Sequence, residues 1–395
     1  MGSLDLFWQA AIFSSLALGV PLACAVWLFF SPIKQTINAG QYLDRTWATR
    51  FALMIGGCVL AMNVGAYWDA SEHIVTGVVP GGKDFLWPPH LVLYGGFLLV
   101  LIVALMALVA VAGPNLRAGI RDPRVWVRRN PLLGAVTLSA GYAIFSIPGD
   151  AIWHQLFGVD LTAWSPPHLI LGFSLALVGI CSAALLAQTN KSAGGDLWRD
   201  GLVVGILALV LSETFLVGVV EWEVAGKLAA NNSQERAIWL YPVVSAGLSF
   251  LILDLARHLT RLKWAATLTA ITFFVIRLAV IGGMALINGV SPHLPLVFVL
   301  GAIALDVVKV RVQSGVSRAL LIATVYSIGF AMTAFPNLAL LGLGLGPVDY
   351  IEAFAVTLVL VAILYPLVEV LGEWFERQRL PIPVDGRITA PALAD

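Results

Sequence analysis

Long apolar runs, separated by short polar connections rich in proline and glycine, recur along the whole chain. They fall at roughly 7–30, 46–66, 90–113, 131–149, 168–188, 201–220, 238–256, 264–287, 294–308, 318–336 and 348–371. Most reach the roughly 18–20 residues a helix needs to cross a hydrocarbon core. The pattern therefore predicts an all-α polytopic membrane protein with about eleven transmembrane helices. The run at 294–308 is the shortest, and spans only if it continues past Asp306 and Lys309. No broken helix is evident. The expected organisation is one helical domain over 1–371, followed by a short tail at 372–395.

Composition narrows the class. Of 395 residues, 59% are apolar and 12% charged, about half the charge of an ordinary soluble domain. So little charge cannot cover a water-facing surface of this size, which excludes a cytosolic enzyme. The formal net charge is zero and the basic residues are scattered, which argues against nucleic acid as a partner. Cys24, Cys58 and Cys181 all fall in apolar runs, and read as buried small hydrophobes rather than a zinc set. The N-terminus lacks the basic start of a cleaved signal, so its first run is expected to remain a helix.

Basic residues give the orientation. Lys34, Arg45, Arg50, Arg117, Arg121, Arg124, Arg128, Arg129, Lys191, Arg199, Arg257, Arg261, Lys263, Lys309, Arg311, Arg318, Arg377, Arg379 and Arg387 occupy alternate connections and the tail. They are 19 of the 23 Lys and Arg. Lys83, Lys227 and Arg236 fall on the other side, and Arg277 lies within a helix. Positive residues stay inside, which predicts an outward N-terminus and a cytoplasmic C-terminus in a bacterial-type inner membrane.

Four of the six histidines sit in two matching segments. The first runs Trp68-Asp69 to His73, then Trp87-Pro88-Pro89-His90-Leu91. The second runs Asp150 through Trp153-His154, then Trp164-Ser165-Pro166-Pro167-His168-Leu169. Each has the form D-x3-H, a loop, and W-(x)-P-P-H-L opening the next helix. The aspartates are offset by 81 residues and the last histidines by 78. This predicts a duplicated helix–loop–helix unit, at 46–113 and 131–188, with both loops outside and further helices over 201–371. Asp and His at i and i+4 share a helical face. The Pro-Pro pair suits a helix start, where the missing N–H is no loss. Each unit can thus offer one carboxylate and two imidazoles, a donor set that suits copper, iron or zinc. The candidate ligands are Asp69, His73, His90, Asp150, His154 and His168. Such groups are costly near a bilayer without partners, and a metal supplies one.

The segment Asp150-Ala-Ile-Trp153-His154-Gln155, followed by Asp160 and Pro167-His168, resembles the copper motif of the C subunit of particulate methane and ammonia monooxygenases. That subunit has D-x3-H, a loop, and a proline-containing stretch ending in histidine at a helix start. It carries a similar set downstream with asparagine for aspartate. The resemblance covers about residues 66–188. It implies copper at Asp150, His154 and His168, a paired site at Asp69, His73 and His90, and other membrane subunits with an electron donor.

Other polar residues are fewer. Arg277 lies mid-helix, with Glu213 the nearest expected partner in depth and Asp306 a poorer one. Glu221 and Glu223 read as a solvated acidic loop that could also add carboxylates near the metal loops. His293, in a faint third P-H-L copy, is a candidate ligand or supporting group, and His258 reads as a headgroup contact. The function expected first is a copper-dependent membrane oxygenase subunit acting on a small apolar substrate from the lipid, with Trp68, Trp87, Trp153 and Trp164 walling the site. A metal- or haem-binding electron-transfer or copper-handling subunit is the second reading. A transporter with pseudo-repeats is the third.

Overall fold

The computed structural model describes residues 12, 19–32, 45–72, 87–157, 163–191, 196–225, 237–288, 294–308, 316–377, 383–384 and 387–388. Their regular structure is helical apart from a small antiparallel ladder pairing Pro383–Val384 with Arg387–Ile388. The helices in chain order begin with α1 (Gly19–Phe30), α2 (Arg45–Ser71), α3 (Pro88–Arg117) and α4 (Pro123–Arg129). Next come α5 (Pro131–Phe157), α6 (Pro166–Lys191), α7 (Leu197–Ala225) and α8 (Leu240–Leu259). The last four are α9 (Ala265–Asn288), α10 (Val299–Val307), α11 (Val316–Leu340) and α12 (Pro347–Arg377). Among the described residues, nine of these are long and apolar enough to cross a membrane: α2, α3, α5, α6, α7, α8, α9, α11 and α12.

The difference from eleven has two sources. The run at 7–30 lies partly outside the described residues, and its described part is the short α1. The run at 294–308 is not a full helix. Residues 294–298 are not helical and only α10 is. Pro295 explains the break, because it lacks an N–H and disfavours helical backbone at Leu294. The segment nevertheless runs back along α9. Asp306 accepts from the Ala266 and Thr267 amides at 3.3 and 2.8 Å, and so caps the start of α9 from outside. The nine residues of α10 rise only about 14 Å, under half of a hydrocarbon core, so a span here includes backbone that is not helical. Backbone that is not helical at such depth needs protein partners. The Asn337 side chain accepts from the Val297 amide at 3.1 Å, and Leu296 and Phe298 are wholly buried.

Four helices position His90 and His168. α2 packs on α3 and α6, and α5 packs on α6 and α3, which closes a ring. α2 and α3 come close because both carry glycine at the crossing. A Cβ on Gly65 would meet the Leu93 amide nitrogen at 3.0 Å and the Pro89 carbonyl at 3.1 Å, and Gly96 lies against Met62. The same offsets place Ser146 and Ser174 at the α5–α6 crossing, both buried. Small residues let membrane helices approach closely.

α7 sits against this ring and joins it to the rest. Asn63 donates to the Leu209 carbonyl at 3.0 Å, and Tyr67 to the Ser212 carbonyl at 2.7 Å, tying α2 to α7. The amphipathic α4, which the apolar pattern does not reveal, is capped by Asp122 accepting from the Arg124 amide at 2.9 Å. Arg124 donates to the Asp122 carboxylate through Nε and Nη2, which holds its carboxyl below the usual carboxylate range. Arg124 and Arg128 also satisfy the carbonyl end of α1, at Pro32 and Leu28. α12 continues to Arg377, taking in the first six residues of the expected tail.

The periphery is apolar. Met106 and Val109 on α3, Val275 and Leu278 on α9, and Val359 and Ile363 on α12 are all exposed. Unbroken apolar faces of this kind exceed what a soluble surface tolerates and fit contact with a lipid bilayer. Cys58 and Cys181 are buried as expected, whereas Cys24 on α1 is exposed.

Candidate metal centre

Both hairpins are built alike where α2 and α5 end and α3 and α6 begin. Pro88 and Pro89 occupy the first turn of α3, with the Leu91 amide bonded back to the Trp87 carbonyl at 2.9 Å. Pro166 and Pro167 do the same for α6, with Leu169 bonded to Ser165 at 2.9 Å. Prolines here remove donors that would otherwise be orphaned. They also fix the direction in which the next residue, a histidine, leaves the loop.

That histidine meets the aspartate of the preceding helix in each case. His90 Nε2 lies 2.8 Å from Asp69 Oδ1, and His168 Nε2 lies 3.4 Å from Asp150 Oδ1. The facing carboxylate oxygens are both shielded from solvent. Two donors bound to one ion at about 2.0–2.1 Å, in square or tetrahedral arrangement, would lie about 2.8–3.4 Å apart. The observed separations fit that requirement. The donor types fit it too, because carboxylate and imidazole suit copper, iron and zinc.

His73 lies outside the described residues, as does the side chain of His154, whose backbone is one turn beyond Asp150 on α5. His293 is likewise outside them.

The surroundings are aromatic. The His90 ring packs edge-on to Trp87 at 5.7 Å and against Tyr94 at 5.2 Å. In the second copy Trp164 donates to the Gly218 carbonyl at 3.1 Å and packs on Trp222, while Trp153 lies against Phe157. Trp68 donates to Glu72 Oε1 at 2.6 Å. An apolar groove of about 640 Å³ runs between α1, α3, α4 and α5. Its lining extends from Val127 and Gly134 to Ser146, Gly149 and Ile170, so one end adjoins Asp150 and His168.

Glu221 and Glu223 correct the expectation of a solvated loop, because both are buried. Glu221 accepts from the Ala163 amide at 2.9 Å and so anchors the loop that delivers His168. Glu223 forms the ion pair with Arg277, in place of the expected Glu213. The Arg277 guanidinium also lies over the Tyr67 ring, 4.2 Å from its centroid. The cause is reach, since a long arginine stem extends well beyond its own level on α9. Asp306, the other expected partner, is occupied with the start of α9. His258, at the end of α8, lies between Glu369 and Glu376 of α12.

No family model, curated protein or solved structure matches this chain. The likeness to the monooxygenase C subunit thus rests on the motif alone.

Proposed function

We propose that this chain is an integral membrane protein that binds copper at its Asp/His/His sets and serves a monooxygenase-like oxidation of a small apolar molecule. The observation that carries the reading is the same Asp-to-His approach in both hairpins, at 2.8 and 3.4 Å. The ring of α2, α3, α5 and α6 supports it, because exchanging α2 with α5 and α3 with α6 leaves its packing pairs unchanged. That symmetry is what a duplicated unit would produce. The alternation of basic residues favours an outward N-terminus, a cytoplasmic tail, and metal loops on the periplasmic side of an inner membrane.

Copper would supply oxygen activation and one-electron chemistry at positions the protein leaves open. The chain's own residues would do the rest. Asp69 and Asp150 hold the imidazoles of His90 and His168 in direction, with His73 and His154 completing each set. Trp87 and Tyr94 exclude water from one side of His90. The groove ending at Gly149 and Ile170 offers an apolar molecule a route from the lipid to the second set. Iron or zinc are the alternative ions, and partner membrane subunits with an electron donor complete the reading.

The test is electron paramagnetic resonance of copper-loaded protein, beside oxygen uptake with a quinol donor and short hydrocarbons. Nitrogen coupling that is lost in His90→Ala and His168→Ala, with hydrocarbon-dependent uptake, is expected. Copper bound without any uptake would favour an electron-transfer or copper-handling role. Absence of imidazole coupling would overturn both.

One observation favours a transporter instead. The non-helical 294–298 segment reaches Tyr241 at Leu296, and Tyr241 also faces the buried Glu223–Arg277 pair. Interrupted helices beside polar groups mark substrate sites in transporters. Solute uptake into vesicles that is abolished by Arg277→Lys and indifferent to copper would support that reading over the oxygenase.

A further inference from the structure

At the opposite end of α8 from Tyr241, three donor side chains converge. Asp254 and His258 lie one turn apart on α8, and Glu369 faces them from α12. Their ligand atoms all lie within 4.8 Å of one another. His258 Nε2 is 3.5 Å from Glu369 Oε1, and its Nδ1 is 4.0 Å from Glu376 Oε1. We propose that Asp254, His258 and Glu369 form a second kind of metal site, for a divalent first-row ion of the Mn²⁺, Fe²⁺ or Zn²⁺ class.

The cluster is built, not a chance meeting of surface acids. Asp254 is only 1% exposed, and its Oδ2 has no hydrogen-bond partner among the described residues. Its other oxygen, Oδ1, accepts from Arg257 Nη1 at 2.6 Å. That bond fixes the carboxylate and leaves Oδ2 for an ion, the arrangement in which an outer group orients a ligand. A buried carboxylate oxygen left unsatisfied is costly, and a cation removes the cost.

The imidazole is held as firmly. A Cβ on Gly372 would lie 2.5–2.8 Å from His258 ring atoms, so only glycine lets α12 approach this closely. Gly372 stands between Glu369 and Glu376 on α12, so the ring lies across the helix with a nitrogen toward each carboxylate. Arg318 Nη2 is 3.7 Å from Glu369 Oε1. Asp254, Glu369 and Glu376 set against Arg257 and Arg318 leave one negative charge in excess when His258 is neutral. The carbonyl end of α8 adds to the attraction for a cation. One imidazole with two carboxylates is a donor set intermediate between the oxygen-rich sites of Mg²⁺ or Ca²⁺ and the sulfur- or imidazole-rich sites of copper. Neighbouring ligands of one ion lie about 3.0–3.4 Å apart, so His258 and Glu369, at 3.5 Å, are already near that spacing, and the cluster as a whole, within 4.8 Å, closes on an ion by side-chain rotation.

Mn²⁺ is the probe, titrated into the full-length, chelator-washed protein in detergent and followed by the loss of free Mn²⁺ resonance. One saturable ion is expected in the parent. Asp254→Asn and Glu369→Gln, which keep shape and remove charge, should each weaken binding at least tenfold. His168→Ala should leave it unchanged, which separates this site from the copper reading. Gly372→Ala removes no donor yet displaces the imidazole, and should also weaken binding. It decides the question if a charge variant fails to fold. No Mn²⁺ binding in the parent, or equal binding in the parent and these variants, would overturn the proposal and leave an ion-pair lock between α8, α11 and α12.

Discussion

Arg277→Met would leave Glu223 as a carboxylate in the interior of the bundle with its cation gone. Both side chains are wholly buried, and the guanidinium also loses its place over the Tyr67 ring. Removing one member of a buried ion pair costs about 3–5 kcal/mol, whereas replacing both by apolar or neutral groups is often close to neutral. That cost is roughly two to three and a half orders of magnitude in the unfolding constant. Glu223→Gln should be comparably damaging, because Arg277 Nε and Nη1 already lack hydrogen-bond partners among the described residues and the guanidinium would then lose its paired charge. The double variant Glu223→Gln/Arg277→Met should recover most of the loss. The assay is denaturation in mixed micelles followed by tryptophan fluorescence, read as a double-mutant cycle. A coupling of at least about 2 kcal/mol is expected from the cost of the unpaired charge. Single variants within about 0.5 kcal/mol of the parent, or a double variant as unstable as the sum of the two, would refute the reasoning.

Three further outcomes follow from contacts at the helix ends. Gly65→Ala places a methyl against the Leu93 amide and Pro89 carbonyl, which are backbone and cannot swing away. It should cost about 1–3 kcal/mol and reduce copper at the first set, measurable by metal analysis of the refolded or detergent-purified variant. Asp306→Ala removes the carboxylate that caps α9 and should lower stability by about 1–2 kcal/mol, with hydrogen exchange accelerated at Ala266 and Thr267. Glu221→Gln weakens the acceptor for the Ala163 amide, at a cost of about 1 kcal/mol. Protease sensitivity of the loop before His168 should rise, while binding at the first set stays unchanged.

Element existence was largely legible in the apolar pattern, because a membrane-spanning helix announces itself by length and composition alone. The exception is instructive. The run at 294–308 looks continuous by hydropathy, yet its first five residues, around Pro295, are not helical. Hydropathy reports burial and cannot tell an extended buried stretch from a helical one. α4 escaped for the converse reason, since it is short and carries the basic residues that the orientation argument counted as a loop.

The candidate site was legible where two local signals agreed. Pro-Pro-His sets a helix start and an aspartate lies in the last two turns of the preceding helix, so Asp69 with His90 and Asp150 with His168 could be paired from spacing. The partner of Arg277 could not, because depth along a helix ignores how far a guanidinium reaches. Asp254, His258 and Glu369 were invisible for a different reason: about 110 residues separate α8 from the α12 glutamates, and only tertiary packing unites them. The one clue was Gly372, a small residue on a helix face that meets an imidazole.

The most direct measurement is the copper content of purified protein after loading and removal of loose metal, for the parent, Asp69→Ala, Asp150→Ala and the double variant. The account predicts about one ion per Asp/His/His set, with each single variant losing its own and the double variant losing both. A parent that retains no copper, or variants that retain as much as the parent, would contradict it.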